Sequence, residues 1–303
     1  MSIKPNKLVS GDRVGLTAPA RKISYKEISY AIKLFNSWGL EVVIGESIDS
    51  EDNQFSGSDK FRARDFQRFL DDKTIKAIFC ARGGYGSVRI IDKLDFSSFK
   101  TNPKWIIGYS DPSLILNHIY FNYNIESIHG IMPVNIGKDS ENSLAISSLR
   151  DILFEDRRYG EYKTHNLNRN GEVEGELIGG NLSVLYSLMG SNSFQSTEGK
   201  ILFLEDLDEY IYHIDRMMNC LKRGGKLSSL KALVIGGFTD MHDNTIPFGQ
   251  SPYEIIYNSV QEYDYPVVFD IPIGHIGDNN QAIIIGRNTK LISNNERVII
   301  SQE

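Results

Sequence analysis

The sequence predicts an α/β protein: an N-terminal α/β domain on a parallel sheet with helices on both faces, and a β-rich C-terminal α/β domain, with a functional crevice beyond the carboxyl ends of the parallel strands. Three observations predict this. Short apolar runs alternate with helical segments over the first 130 residues, the pattern of strand–helix–strand units. Glycine- or serine-bearing turns follow two of those runs, at the carboxyl ends of strands where parallel sheets place their crevice. The composition then turns polar over about 155–172, and beyond it strand-like runs become more frequent.

In order along the chain, 13–18 reads as a short buried strand. The helix after Pro19 is announced by Ser24-x-x-Glu27, in which a serine and a glutamate satisfy each other's backbone N–H groups. A second strand covers 40–44, a helix covers about 59–71, and a third strand at 75–80 runs into Arg82-Gly83-Gly84-Tyr85-Gly86. Another helix is expected next, then a strand ending at Ser110. The chain turns at Tyr109-Ser110-Asp111-Pro112 into a helix, since proline suits a first helical turn. A short strand near 125–129 completes a domain of residues 1–155. Residues 156–172 show neither helical nor strand period and read as a linker.

The second domain, 173–303, opens with a strand at 173–178 and a helix after Gly179-Gly180-Asn181. A strand at 200–204 precedes a helix over about 208–223, where Ile211, Ile214, Met218 and Leu221 make one apolar face and Lys222-Arg223 sit in the last turn. Strands at 230–235, 267–269, 282–285 and 297–300 follow.

Bulk properties exclude several function classes. The 303 residues carry 33 Lys and Arg against 39 Asp and Glu, a formal charge of −6, with no basic run, which argues against nucleic acid as a partner. No window approaches a membrane span and the N-terminal residues lack a signal-peptide core, so a cytoplasmic location without membrane association is expected. Cys80 and Cys220 both lie in apolar patterns and read as small core thiols.

Ser110 has two readings. It can cap the helix that follows, or it can be a nucleophile exposed on a sharp strand-to-helix turn, beside N–H groups that favour developing negative charge. A serine hydroxyl needs a base, and histidine has a suitable pKa. His129 ends a strand near the same sheet edge and is one candidate. His275 lies in the Pro- and Gly-rich loop Pro272-Ile273-Gly274-His275 after a buried strand and is the other. Glu205 ends the apolar run Ile201-Leu202-Phe203-Leu204 and can orient an imidazole, with Asp206 or Asp208 left to cap the following helix. The backbone N–H groups of Asp111 and Gly84 are oxyanion donors. The Gly-rich loop lacks the spacing of a dinucleotide fingerprint, and no phosphate-binding lysine follows it.

Taken in order, Leu8-x-x-Gly11-Asp12-x-Val14 with Ala18-Pro19-Ala20, Ala81-Arg82-Gly83-Gly84-Tyr85-Gly86, Gly108-Tyr109-Ser110-Asp111, His129-Gly130, Gly179-Gly180-Asn181-Leu182, Leu204-Glu205-Asp206 through Tyr212-x-x-Asp215-Arg216, and Pro272-x-Gly274-His275 ending at Gly286 resemble the LD-carboxypeptidase family of serine peptidases. The resemblance spans nearly the whole chain. It implies a catalytic triad on Ser110, Glu205 and His275 in an active site between the two domains, with no metal or other cofactor. It also implies a homodimer that hydrolyses the bond between an L-configured centre and a terminal D-alanine in murein tetrapeptides, in cell-wall recycling. Arg82, with a planar guanidinium for a free carboxylate, and Tyr85 are the expected substrate contacts. Two alternatives remain: a microcin-type peptidase that detoxifies a peptidyl-nucleotide antibiotic, and a non-catalytic muropeptide-binding protein.

Overall fold

The computed structural model describes residues 2–303. Its first part runs β1 (Arg13–Thr17), α1 (Ser29–Ser37), β2 (Glu41–Ile44), α2 (Asp59–Asp71), β3 (Ile75–Cys80), α3 (Ser97–Thr101), β4 (Trp105–Gly108), α4 (Ser113–Tyr123), β5 (Ser127–His129) and α5 (Leu144–Arg150). The second part runs β6 (Arg158–Lys163), β7 (Gly171–Asn181), α6 (Leu182–Ser187), β8 (Ile201–Leu207), α7 (Ile211–Arg223), β9 (Ala232–Thr239), α8 (Pro252–Ser259), β10 (Val267–Val268), β11 (Ile283–Ile285), β12 (Asn288–Ser293) and β13 (Arg297–Gln302).

Strands β1 to β5 pair in parallel in a sheet of order β11-β5-β4-β3-β1-β2. The order reverses between β1 and β3, so the loops at their carboxyl ends diverge and open a crevice. β4 is buried along its whole length and β3 everywhere but Lys76, which is why both read as continuous apolar runs. Helix α2 starts where the Ser58 hydroxyl accepts the Phe61 N–H, and it lays Ala63, Phe66, Phe69 and Leu70 into the core.

The second sheet has the order β10-β9-β8-β7-β12-β13-β6. β7 joins its two styles: residues 171–176 pair antiparallel with β12, and 177–181 pair parallel with β8. The α/β class and the two-sheet division follow the sequence expectation.

Several elements differ from it. The Ser24–Glu27 hydrogen bonds form, yet they close a turn, and α1 begins only at Ser29. The helix expected between Gly86 and β4 is broken up: 3-10 turns at Ser87–Arg89 and Ile91–Lys93 precede the short α3. The polar segment 156–172, expected as a linker, contains β6, whose partner is β13 at the far end of the chain; long-range pairing supplies the order that local composition does not show. β12 has no apolar alternation to mark it, because its buried face carries Thr289 and Ser293 beside Leu291. Finally, β11 comes from the second half of the chain but pairs antiparallel with β5, extending the first sheet.

The two halves are therefore interlocked. One hydrophobic core runs from Leu114, Ile115 and Ile119 of α4 to Leu177, Ile178 and Leu182. Asn117 of α4 exchanges both amide hydrogen bonds with Gly179, 2.8 Å to its carbonyl and 3.2 Å from its N–H, as a strand neighbour would. Deeper in, Arg287 donates to Glu126 at 2.6 Å and lies 2.9 Å from an Asp156 carboxylate oxygen, an ion cluster that is almost fully buried.

Candidate active site

Ser110 follows β4 across a turn that only particular residues allow. A Cβ on Gly108 would lie 2.8 Å from Pro112 Cβ and 3.1 Å from Cys80 Cβ, so the strand end can pack there only as glycine. Ser110 itself is held at φ +64°, in the left-handed region. For a residue with a side chain that conformation costs roughly 1–2 kcal/mol. The capping reading fails: Pro112 occupies the cap of α4, no side chain bonds the helix start, and the Ser110 hydroxyl makes no hydrogen bond among the described residues. The strain presents a bare hydroxyl.

The Gly-rich loop after β3 packs beside it. A Cβ on Gly83 would sit 3.0 Å from Ser110 Cβ and 3.2 Å from its Oγ, making Gly83 the glycine that faces the serine. Gly84, at φ +99°, lies under the Arg21 side chain. Neither the Gly84 nor the Asp111 N–H is donated within the protein among the described residues, so both are free to meet an oxyanion. The Asp111 carboxylate has a task the sequence did not reveal. It accepts the N–H groups of Gly86 at 3.1 Å and Ser87 at 2.9 Å, locking the loop to the serine turn, while burial pushes its pKa up.

The second half of the site comes from the other sheet. Glu205 sits near the carboxyl end of β8, opposite Asn181 of β7, at a register shift against β9 between Leu204 and Asp206. Such an irregularity re-aims a side chain. Glu205 is fully buried, and its Oε2 accepts from His275 Nδ1 at 2.6 Å and from the His275 backbone N–H at 3.3 Å. Gly274, at φ +105°, makes this approach possible: a Cβ there would lie 2.6 Å from Glu205 Oε2. The loop is fixed further by Asn280, which accepts the Gly274 N–H at 2.8 Å, and by Thr239, whose hydroxyl donates to the His275 carbonyl at 2.9 Å.

Burial alone would raise the Glu205 pKa, but the adjacent His275 and His129 outweigh it and hold the carboxyl down at about 2. Burial works against the charged imidazole of His275, and Glu205 overcomes that, raising its pKa above the ordinary histidine value. Asp206 does not cap α7. It accepts from Asn181 Nδ2 and the Ser183 N–H, both at 2.9 Å, at the start of α6, and burial with the Glu205 charge lifts it to about 7. Asp208 turns the chain at φ +60° and faces His242, so α7 starts at Ile211 with no side-chain cap.

Tyr109 bridges the halves. Its ring centroid lies 4.7 Å from that of His275, and its hydroxyl donates to Asn135 at 3.1 Å. His275 thus packs on the residue preceding Ser110, although no hydrogen bond joins Ser110 to His275 among the described residues. His129 is wholly buried beneath this cluster, away from solvent. Arg82 turns aside, reaching Glu27 at 3.4 Å and the Lys22 carbonyl at 3.3 Å in a cleft of about 410 Å³ that Ser24 and Glu51 also line. Tyr85 is exposed, its ring 6.1 Å from that of Phe55.

Two sheets that supply a strained serine and a glutamate-backed histidine packed against the residue before it carry the groups of a serine-type hydrolase. The family model for the LD-carboxypeptidase N-terminal domain matches residues 14–130 and that for the C-terminal domain matches 174–291, and the chain belongs to the LD-carboxypeptidase family, whose activity is that of a serine-type carboxypeptidase. A probable murein peptide carboxypeptidase of Bacillus subtilis is 33% identical over 91% of this chain and 87% of its own. Among solved structures, a muramoyltetrapeptide carboxypeptidase from Oxalobacter formigenes superposes with a TM-score of 0.87 at 24% identity, over 96% of this chain and 98% of that one. MccF in complex with glutamyl sulfamoyl guanosine gives 0.86 at 21% identity, over 99% and 98%. At those identities the two structures speak for the fold.

Proposed function

We propose that this carboxypeptidase hydrolyses the L,D-peptide bond of murein tetrapeptides and releases the terminal D-alanine. The observation that carries the reading is the pairing of Ser110, strained at φ +64° with an uncommitted hydroxyl, with a His275 imidazole bound at 2.6 Å to buried Glu205. In this mechanism His275 Nε2 takes the Ser110 proton as the hydroxyl oxygen attacks the carbonyl carbon before D-alanine. Glu205 keeps the Nδ1 proton in place and stabilises the imidazolium without taking its proton. The Asp111 and Gly84 N–H groups receive the oxyanion. His275 then protonates the departing amine, and water, deprotonated by the same imidazole, releases the acyl group.

Arg82 and Tyr85 at the rim are the proposed substrate contacts. The setting proposed is a cytoplasmic homodimer in cell-wall recycling. It draws on the family resemblance and on the murein peptide named for the Bacillus subtilis relative. The test is release of D-alanine from an L-Ala-D-Glu-diaminoacyl-D-Ala tetrapeptide, with Ser110→Ala beside wild type. Wild type should release it and the variant should not; no release by wild type, or equal release by both, overturns the reading.

A second reading, cleavage of a peptidyl-nucleotide antibiotic, is favoured by one feature: the exposed ring of Tyr85, next to the Gly-rich loop, could serve as a shelf for a base. Competition between tetrapeptide and an aminoacyl sulfamoyl nucleotide as substrates separates the two.

A further inference from the structure

His129 has no part in the mechanism above, yet its position is specific. It ends β5 of the first sheet, in register with Gly108 of β4 on one side and Ile283 of β11 on the other. Its side chain is completely buried, and among the described residues both ring nitrogens lack a hydrogen-bond partner. Nε2 lies 3.6 Å from Glu205 Oε1. That oxygen is the carboxylate atom His275 does not use, and it too is buried without a hydrogen bond. The Phe203 ring lies 5.1 Å and the Tyr109 ring 5.9 Å away, both edge-on.

A buried carboxylate with one oxygen bound and the other bare can rotate about its terminal bond, and an unpaired buried acceptor is costly to keep. A shift of a few tenths of an ångström would convert the 3.6 Å contact into a hydrogen bond. The tautomer with the proton on Nε2 suits this, since it donates to the carboxylate.

We propose that His129 is a positioning residue for Glu205: through Nε2–H it holds Oε1, so that Oε2 stays aimed at His275 Nδ1. The consequence is architectural. Glu205 and His275 belong to the second half of the chain, whereas His129 pairs with Gly108, two residues before Ser110. The acid that orients the base is thereby oriented by the sheet that presents the nucleophile, and β11, which follows the His275 loop and pairs with β5, holds the three in register. This rests on the triad assigned above.

The experiment compares wild type with His129→Leu, which fills the space without a donor, and His129→Gln, which restores an N–H. The most downfield imidazole N–H proton is followed by NMR without substrate, assigned to His275 Nδ1–H by its loss in Glu205→Gln. Tetrapeptide hydrolysis is measured in parallel. The leucine variant should move or broaden that resonance and lower kcat by about tenfold to a hundredfold with KM within about threefold, the rate equivalent of one unpaired buried acceptor. Glutamine should restore both readouts toward wild type. The proposal is overturned if folded His129→Leu keeps the wild-type resonance, or if glutamine rescues no better than leucine. Because the resonance needs no substrate, the role of His129 is decided even where wild type fails to cleave the tetrapeptide.

Discussion

The two halves of the site are built by opposite means. Around Ser110 the structure removes interactions: the backbone is strained, the hydroxyl is unbonded, and glycines stand where side chains would crowd it. Around Glu205 and His275 it adds them: the carboxylate is fully buried, bound twice by His275, and the loop is tied by Asn280 and Thr239. In the proposed mechanism the nucleophile must be available to change its bonding, whereas the orienting acid must not move. Strain serves the first need and hydrogen bonding in a low-dielectric interior the second.

The largest effect should come from the strained half. Ser110→Ala should lower tetrapeptide turnover by about 10⁴-fold or more, while thermal unfolding stays near wild type because alanine inherits the same strained φ. Ser110→Gly should be equally inactive yet more stable than the alanine variant by roughly 1 kcal/mol, since glycine adopts this conformation freely. Denaturant titration checks the difference. Equal stability of the two variants would remove strain from the comparison.

Next come the glycines that flank each half. Gly274→Ala places a methyl 2.6 Å from Glu205 Oε2 at φ +105°, and nothing there can yield cheaply. Stability should fall by about 1–3 kcal/mol, and kcat by about a hundredfold as the imidazole is displaced. Gly83→Ala meets Ser110 at 3.0 and 3.2 Å and needs no strained φ, so it should fold with less than about 1 kcal/mol lost and show its defect in kcat. If the two variants unfold alike, the locked half is not more rigid than the open one.

The pH dependence separates the groups of the locked half. The Glu205 pKa is depressed, so its contribution to stability is present above the ordinary carboxylate range near 4.5 and is lost as pH falls towards about 2. The His275 pKa is raised, so its contribution is full below the ordinary histidine value of 6.5 and is lost as pH rises through the higher folded value. The proposed mechanism needs the neutral imidazole. Activity should therefore climb over the same interval in which the His275 contribution to stability declines, with the acid limb of kcat/KM above 6.5. A limb at or below that value would show that Glu205 does not hold the imidazolium.

The open half was more legible in the sequence than the locked one. Gly108-Tyr109-Ser110-Asp111-Pro112 is local: a strand end, a turn and a helix start are contiguous, so the strained turn could be expected from residue types alone. Glu205 and His275 were visible as strand-end residues, but their union depends on Gly274 and on a register shift at Glu205, and neither has a compositional signature. The β6 and β11 pairings were hidden for the same reason, as each strand is ordered by a partner distant in sequence or in the other half. The carboxylate of Asp111 and the imidazole of His129 were assigned no structural role, because a buried polar group shows its purpose only when its neighbours are in place.

Arg82 offers the smallest and most discriminating test, because it stands at the rim of the open half and is already partly engaged. Its contact with Glu27 is 3.4 Å long and both side chains are about a third or more exposed, a class of ion pair worth about 0–1 kcal/mol. A substrate carboxylate could displace Glu27 at little cost, and the guanidinium would then grip it with two parallel hydrogen bonds. Lysine keeps the charge but not the fork. Arg82→Lys should raise KM for the tetrapeptide by about threefold to tenfold and leave kcat within twofold, because a contact made equally in ground and transition states is lost. Glu27→Gln should do the reverse and lower KM, since it frees Arg82 from its present partner. If Arg82→Lys instead lowers kcat with KM unchanged, Arg82 acts through the Gly83-Gly84 backbone beside Ser110, and the rim belongs to the strained half of the site rather than to substrate selection.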